Sequence, residues 1–177
     1  MIPKRHRILL IGAGRVGLEH LSEWTRLANS GEVDIAGVVV RDERKQDAIR
    51  QRYEIPIFDQ LSDELIRGVD AVDIVTPPDS HASLVRRCLP LAHVLVEKPL
   101  ATDAGEAAEL STLAKTLDRV LMVGHLFRFH PVVGELKRLV ADRSELPRGI
   151  HGAMINPEDD RVGRDEEARD RQTRLVR

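Results

Sequence analysis

Short apolar runs alternate with longer stretches whose apolar residues recur at helical spacing along most of the chain. The short runs predict strands at 7–11, 34–40, 55–58, 71–75, 93–96 and 120–123. Several, such as Ile8-Leu9-Leu10-Ile11 and Val38-Val39-Val40, are apolar at consecutive positions, as in strands covered on both faces. Helical patterns fill the intervals. The clearest begins at Asp103, which has capping-box spacing to Glu106, and continues through Ala107, Leu110 and Leu113. Six strands joined by helical crossovers predict an α/β fold with a doubly wound parallel sheet. Its ligand crevice should lie at the carboxyl ends of the strands. The sheet is complete by about Gly124. A further helix is predicted over 131–141, and 148–155 reads as one more strand. Beyond Asn156 the pattern fails: Val162, Ala168, Leu175 and Val176 are almost the only apolar residues, too few for a core. The expected organisation is a sheet domain over 1–130. Over 131–177 we expect a linking helix, the remnant of a second domain and a short charged extension.

Composition narrows the partners. The 177 residues carry a formal net charge of -2 with a pI near 6.4, giving no global electrostatic reason to bind nucleic acid or an anionic membrane. No uncharged stretch approaches the roughly 18 residues of a membrane helix, and the basic head and apolar run at the start are too short for a signal peptide. Cys88 is the only cysteine, which excludes an internal disulfide or a cysteine zinc site and fits a reducing, cytoplasmic setting. Its bland reading is a buried thiol on a helix. The acidic residues of the tail show no metal-ligand spacing, so no metal is expected. The default partner is a small soluble molecule.

The first predicted strand runs into Gly12-Ala13-Gly14-Arg15-Val16-Gly17, a G-x-G-x-x-G turn opening onto a helical pattern at Leu18, Leu21 and Leu27. In such a turn Gly12 permits the tight bend, Gly14 allows the backbone to approach a pyrophosphate, and Gly17 lets helix and strand pack closely. The helix N-terminus supplies amide donors. A strand, this turn and a helix at the head of six βα-type units predict a Rossmann-type site for NAD or NADP. The second strand should end on the residue that reads the adenosine ribose. Here Arg41 suits the 2′-phosphate of NADP, while adjacent Asp42, one register away, suits the 2′-hydroxyl of NAD. The pair favours NADP slightly, with solvated loop charges as the bland alternative.

Three later segments follow strands four, five and six in order: Asp73-Ile74-Val75-Thr76-Pro77-Pro78 with His81, then Glu97-Lys98-Pro99, then Gly124-His125-Leu126-Phe127-Arg128-Phe129 with Pro131. Together with the glycine turn they resemble the Gfo/Idh/MocA family of oxidoreductases over roughly residues 5–141. The resemblance implies that Thr76, Pro77 and Pro78 wall the cofactor, with His81 beside them or simply helping the helix cap. It implies that Glu97, Lys98 and Pro99 approach the nicotinamide ribose and substrate, and that Lys98 is catalytic. His125, as a second catalytic candidate, and Arg128 should line the same crevice. From the residues alone, an ammonium at the carboxyl end of a central strand can orient a substrate hydroxyl and stabilise oxygen charge. Its bland alternative is an ion pair with a nearby carboxylate.

The family normally continues into a larger domain with an open, mostly antiparallel sheet and a catalytic histidine, and this sequence has no histidine after His151. Three readings stay open: an NAD(P)-dependent oxidoreductase acting on a sugar, cyclitol or related hydroxyl compound; a dinucleotide-binding module without catalysis; and a truncated gene product. The lone strand over 148–155 would leave an exposed edge, which leaves open a homo-oligomer.

Overall fold

Four consecutive apolar residues, Ile8 to Ile11, are buried side by side, as the central strand of a sheet covered on both faces requires. Strand side chains alternate between faces, so Leu9 and Ile11 join a cluster with Ile74, Val85, Leu89 and Leu110, whereas Leu10 joins Leu21, Val38 and Ile49. The protein therefore has a separate apolar core on each face.

The computed structural model describes residues 5–141; the strand expected over 148–155, and the exposed edge inferred from it, lie outside them. β1 (His6–Ile11), β2 (Val33–Val39), β3 (Ile57–Phe58), β4 (Ala71–Ile74), β5 (His93–Val96) and β6 (Leu121–Val123) form one sheet in the order β3-β2-β1-β4-β5-β6. Every pairing is parallel. Between successive strands run α1 (Arg15–Asn29), α2 (Glu43–Arg50), α3 (Asp63–Arg67), α4 (His81–Cys88) and α5 (Ala104–Thr116). α4 and α5 cover the first core, α1 and α2 the second. This is the doubly wound α/β arrangement, whose order reverses between β1 and β4 and opens a crevice there.

The third strand is shorter than its expected span of 55–58: only Ile57 and Phe58 pair with Val38 and Val39. Pro56 has no N–H to give a ladder, although its carbonyl still accepts from Val38 N at 2.9 Å. The α5 start matches its reading: Asp103 is the N-cap and accepts from Glu106 N at 3.0 Å. Cys88 is wholly buried at the end of α4, and burial pushes its thiol up to about 12. Chain contacts separate residues 1–129 from 130–177; in the second unit the described segment is α6 (Pro131–Ala141). Among the described residues no helix is long and apolar enough to cross a membrane, and no cluster of three or more metal-ligating side chains occurs.

Candidate functional site

β1 ends by bending at Gly12, whose φ of 103° lies where side chains are rarely accommodated. Space there is also closed, because a Cβ on Gly12 would lie 2.5 Å from the Val75 carbonyl oxygen. Gly17 fits against the same turn: a Cβ there would lie 2.6 Å from Gly12 O. Gly14 is different. A Cβ on Gly14 would meet nothing within 4 Å, so protein packing does not explain the missing side chain. Gly14 is also the N-cap of α1, with no side-chain cap and no acidic residue in the first turn. By contrast α2, α3 and α5 are capped by Asp42, Ser62 and Asp103. The first turn of α1 thus keeps donors that α2, α3 and α5 satisfy with their own side chains; α4 also lacks a side-chain cap, but it is α1 that begins at the glycine turn.

This turn forms one wall of a crevice of about 920 Å³ at the carboxyl ends of the strands. Gly12, Ala13, Gly14, Arg15, Val16 and Gly17 line it after β1. Arg41 and Asp42 do so after β2, Thr76, Pro77 and Pro78 after β4, and Glu97 and Lys98 after β5. Four segments remote in sequence therefore meet where the topology opens. Asp42 is partly committed, since its Oδ1 accepts from Arg44 N at 3.0 Å and Lys45 N at 3.3 Å to cap α2. Arg41 is exposed on the crevice wall, and Lys45, in the first turn of α2, joins it there. Sequence reading missed Lys45, which lies three residues past the Asp42 cap.

Three expected site residues do not line the crevice. His81 is fully buried behind its wall, with Nε2 2.8 Å from Thr76 O and Nδ1 2.7 Å from Pro99 O. Its ring is engaged by main chain on both sides, so it ties the loop after β4 to the Lys98-Pro99 turn, whose peptide is cis. His125 and Arg128 sit exposed at the short 3₁₀ turn after β6, where Arg128 N donates to His125 O at 2.9 Å.

A second group lies under the crevice on the α1 side. His20 and Trp24, one turn apart on α1, both reach Asp73 on β4. His20 Nδ1 is 2.9 Å and the Trp24 indole N–H 2.6 Å from Asp73 Oδ2. His20 Nε2 lies 3.6 Å from Glu97 Oε1. The hydrogen bond to Asp73 raises the His20 pKa above its ordinary value, with burial opposing and the charges of Asp73, Glu97 and Glu19 adding to the rise. Sequence reading missed this group. The available signals were a charged residue inside the apolar run 71–75 and His20 three positions past Gly17.

Residues 6–125 match the family described as "Oxidoreductase family, NAD-binding Rossmann fold" (GFO_IDH_MocA). The chain is similar to UDP-N-acetylglucosamine 3-dehydrogenase of Acidithiobacillus ferrooxidans, 29% identical over 130 residues that cover 73% of this chain and 40% of the relative. An inositol 2-dehydrogenase of Leifsonia xyli subsp. xyli is 32% identical over 159 residues, 86% of this chain and 46% of the relative. A solved structure of the Acidithiobacillus ferrooxidans enzyme superposes with a TM-score of 0.67 at 30% identity, covering 77% of this chain and 43% of that one. The chain thus spans less than half the length of these relatives.

Proposed function

Because the chain belongs to the Gfo/Idh/MocA oxidoreductase family through an NAD-binding Rossmann domain, we propose that it takes part in hydride transfer between a nicotinamide dinucleotide and a sugar, cyclitol or related hydroxyl or keto compound. The observation that carries the reading is the single crevice joining the glycine turn to Lys98. The turn fits a pyrophosphate: Gly14 leaves open space, and the first-turn amides of α1 have no side-chain cap. When bound, the dinucleotide supplies the hydride acceptor or donor. The protein's part is positional and electrostatic. Thr76, Pro77 and Pro78 wall the crevice, and Lys98 orients a substrate oxygen and stabilises the charge that develops on it. His81 holds the β4 loop against the Lys98-Pro99 turn. His125 and Arg128 enter this proposal through their motif alone. We assign residues 1–130 to dinucleotide binding and 131–177 to a linking helix and the remnant of a substrate domain.

Turnover of NADPH or NADH against a panel of hydroxyl and keto compounds tests this reading. Substituting Lys98→Ala should lower turnover by about 10²- to 10³-fold, the usual cost of removing one group that stabilises developing oxygen charge. A binding module without catalysis is the alternative outcome of the same assay. Tight dinucleotide binding with no turnover of any compound would select it.

For cofactor choice we propose a modest preference for NADP. It is supported by two cations, Arg41 and Lys45, on the crevice wall after β2, and by the commitment of Asp42 to the α2 cap. The Arg41→Ala substitution should weaken NADPH by about 1.5 to 3 kcal/mol, the range for a hydrogen bond to a charged group, while barely touching NADH. Equal affinities for the two cofactors, unchanged by the substitution, would contradict it.

A further inference from the structure

We propose that His20 is a proton-linked positioning residue: as an imidazolium it bridges Asp73 and Glu97 beneath the crevice and couples proton uptake to dinucleotide binding. The inference rests on the dinucleotide reading above, but concerns residues outside the glycine turn and Lys98.

The geometry places two carboxylates around one ring. Asp73 is wholly buried, and its Oδ1 has no hydrogen-bond partner among the described residues. Its charge is met through Oδ2 by the His20 ring at 2.9 Å and the neutral Trp24 indole at 2.6 Å. Glu97 is also buried, yet lines the crevice. Its Oε2 accepts from Lys98 N at 3.3 Å, and its Oε1 stands 3.6 Å from His20 Nε2. On the remaining side lies Gly124, after β6, where a Cβ would come within 2.5 Å of Glu97 Oε1. The charged groups facing His20 are therefore Asp73 from β4, Glu97 from the end of β5 and Glu19 from its own helix, all acidic. Two buried carboxylates this close are costly without a cation between them, and His20 is the group placed to supply it.

The site connects to function in two directions. α1 carries both His20 and, three residues earlier, Gly17 of the glycine turn, while Glu97 precedes Lys98. A ring clamped between Asp73 and Glu97 thus ties the helix that faces the pyrophosphate to the strand end that carries the lysine. Filling the crevice removes water from Glu97 and brings the negative pyrophosphate to the N-terminus of α1. The added negative charge favours the imidazolium, and the drier surroundings strengthen its attraction to the Glu97 carboxylate. Binding should therefore take up a proton, and by linkage the affinity should fall as pH rises. The folded chain already holds this proton more tightly than a free imidazole does, so uptake on binding is read above the ordinary value, where the unliganded ring begins to lose it.

Calorimetric titration of the full chain with NADH, in buffers of different ionisation enthalpy, counts the protons directly. NADH is the choice because the 2′-phosphate of NADPH titrates near pH 6 by itself. The wild type should take up a fraction of a proton per NADH, and its affinity should fall about fivefold or more between about pH 6 and about pH 9. A folded His20→Asn variant, which keeps a donor for Asp73 and loses the charge, should bind with no uptake and a flat profile. Should that variant fail to fold, the wild-type His20 imidazole resonance decides, and its titration should move to higher pH when NADH binds. Binding without proton uptake, or uptake unchanged in the variant, overturns this inference and leaves the parent reading standing. No binding at all overturns both.

Discussion

Substituting Gly14→Asp should abolish dinucleotide binding while leaving the fold intact. The backbone there, φ -74° and ψ -173°, is extended and open to any residue, and a Cβ meets nothing within 4 Å. Aspartate is moreover a favoured N-cap, so α1 should be as stable or slightly more so. What the substitution adds is a carboxylate where a pyrophosphate must approach the α1 amides. Opposed like charges at such a contact cost about 3 kcal/mol or more, a loss of about a hundredfold or beyond. Calorimetry paired with a thermal melt separates the two effects. Wild-type affinity in the variant would show that the dinucleotide does not approach the chain at Gly14.

Two residues away the expected result is reversed. Gly12→Ala should destabilise the fold itself, by about 2 to 5 kcal/mol: about 1 to 2 for a side chain at positive φ, and about 1 to 3 for overpacking. The overpacking has little relief, because the opposing atoms are the main-chain oxygen and carbon of Val75, at 2.5 and 2.8 Å from the added Cβ. Against the 5 to 15 kcal/mol typical of a domain, that is a large share. Urea denaturation should show a lower midpoint with an unchanged slope. A midpoint equal to the wild type would mean that β1 and the loop after β4 are not packed as closely as described. One motif thus contains a glycine that packing requires and a glycine that packing does not explain.

Period and punctuation made most of the sheet readable before any coordinates. Short apolar runs set between longer helical patterns fit strands covered on both faces, and this carried the parallel sheet, its strand count and the crevice at its carboxyl edge. Where the reading fell short, the cause was local. Pro56 cut the third strand because a residue without an N–H cannot extend a ladder. His81 was grouped with the crevice residues by its neighbours in sequence, yet the ring turns inward to two carbonyls, a direction that sequence spacing does not encode. The choice between Arg41 and Asp42 hung on one residue of register. Both residues line the crevice, and the α2 cap engages only Oδ1 of Asp42. The His20, Asp73 and Glu97 group was out of reach because its members sit on α1, β4 and the end of β5. Only the parallel pairing that sets Asp73 beside Leu10 on one side and Leu95 on the other brings them together.

Whether the crevice is a nicotinamide dinucleotide site is tested most directly by titration calorimetry of the folded wild-type chain with NADH and with NADPH. Saturable binding in the micromolar range, about 8 kcal/mol, is the predicted result, somewhat tighter for NADPH. The absence of a saturable signal with either cofactor, from a sample shown to be folded, would contradict it.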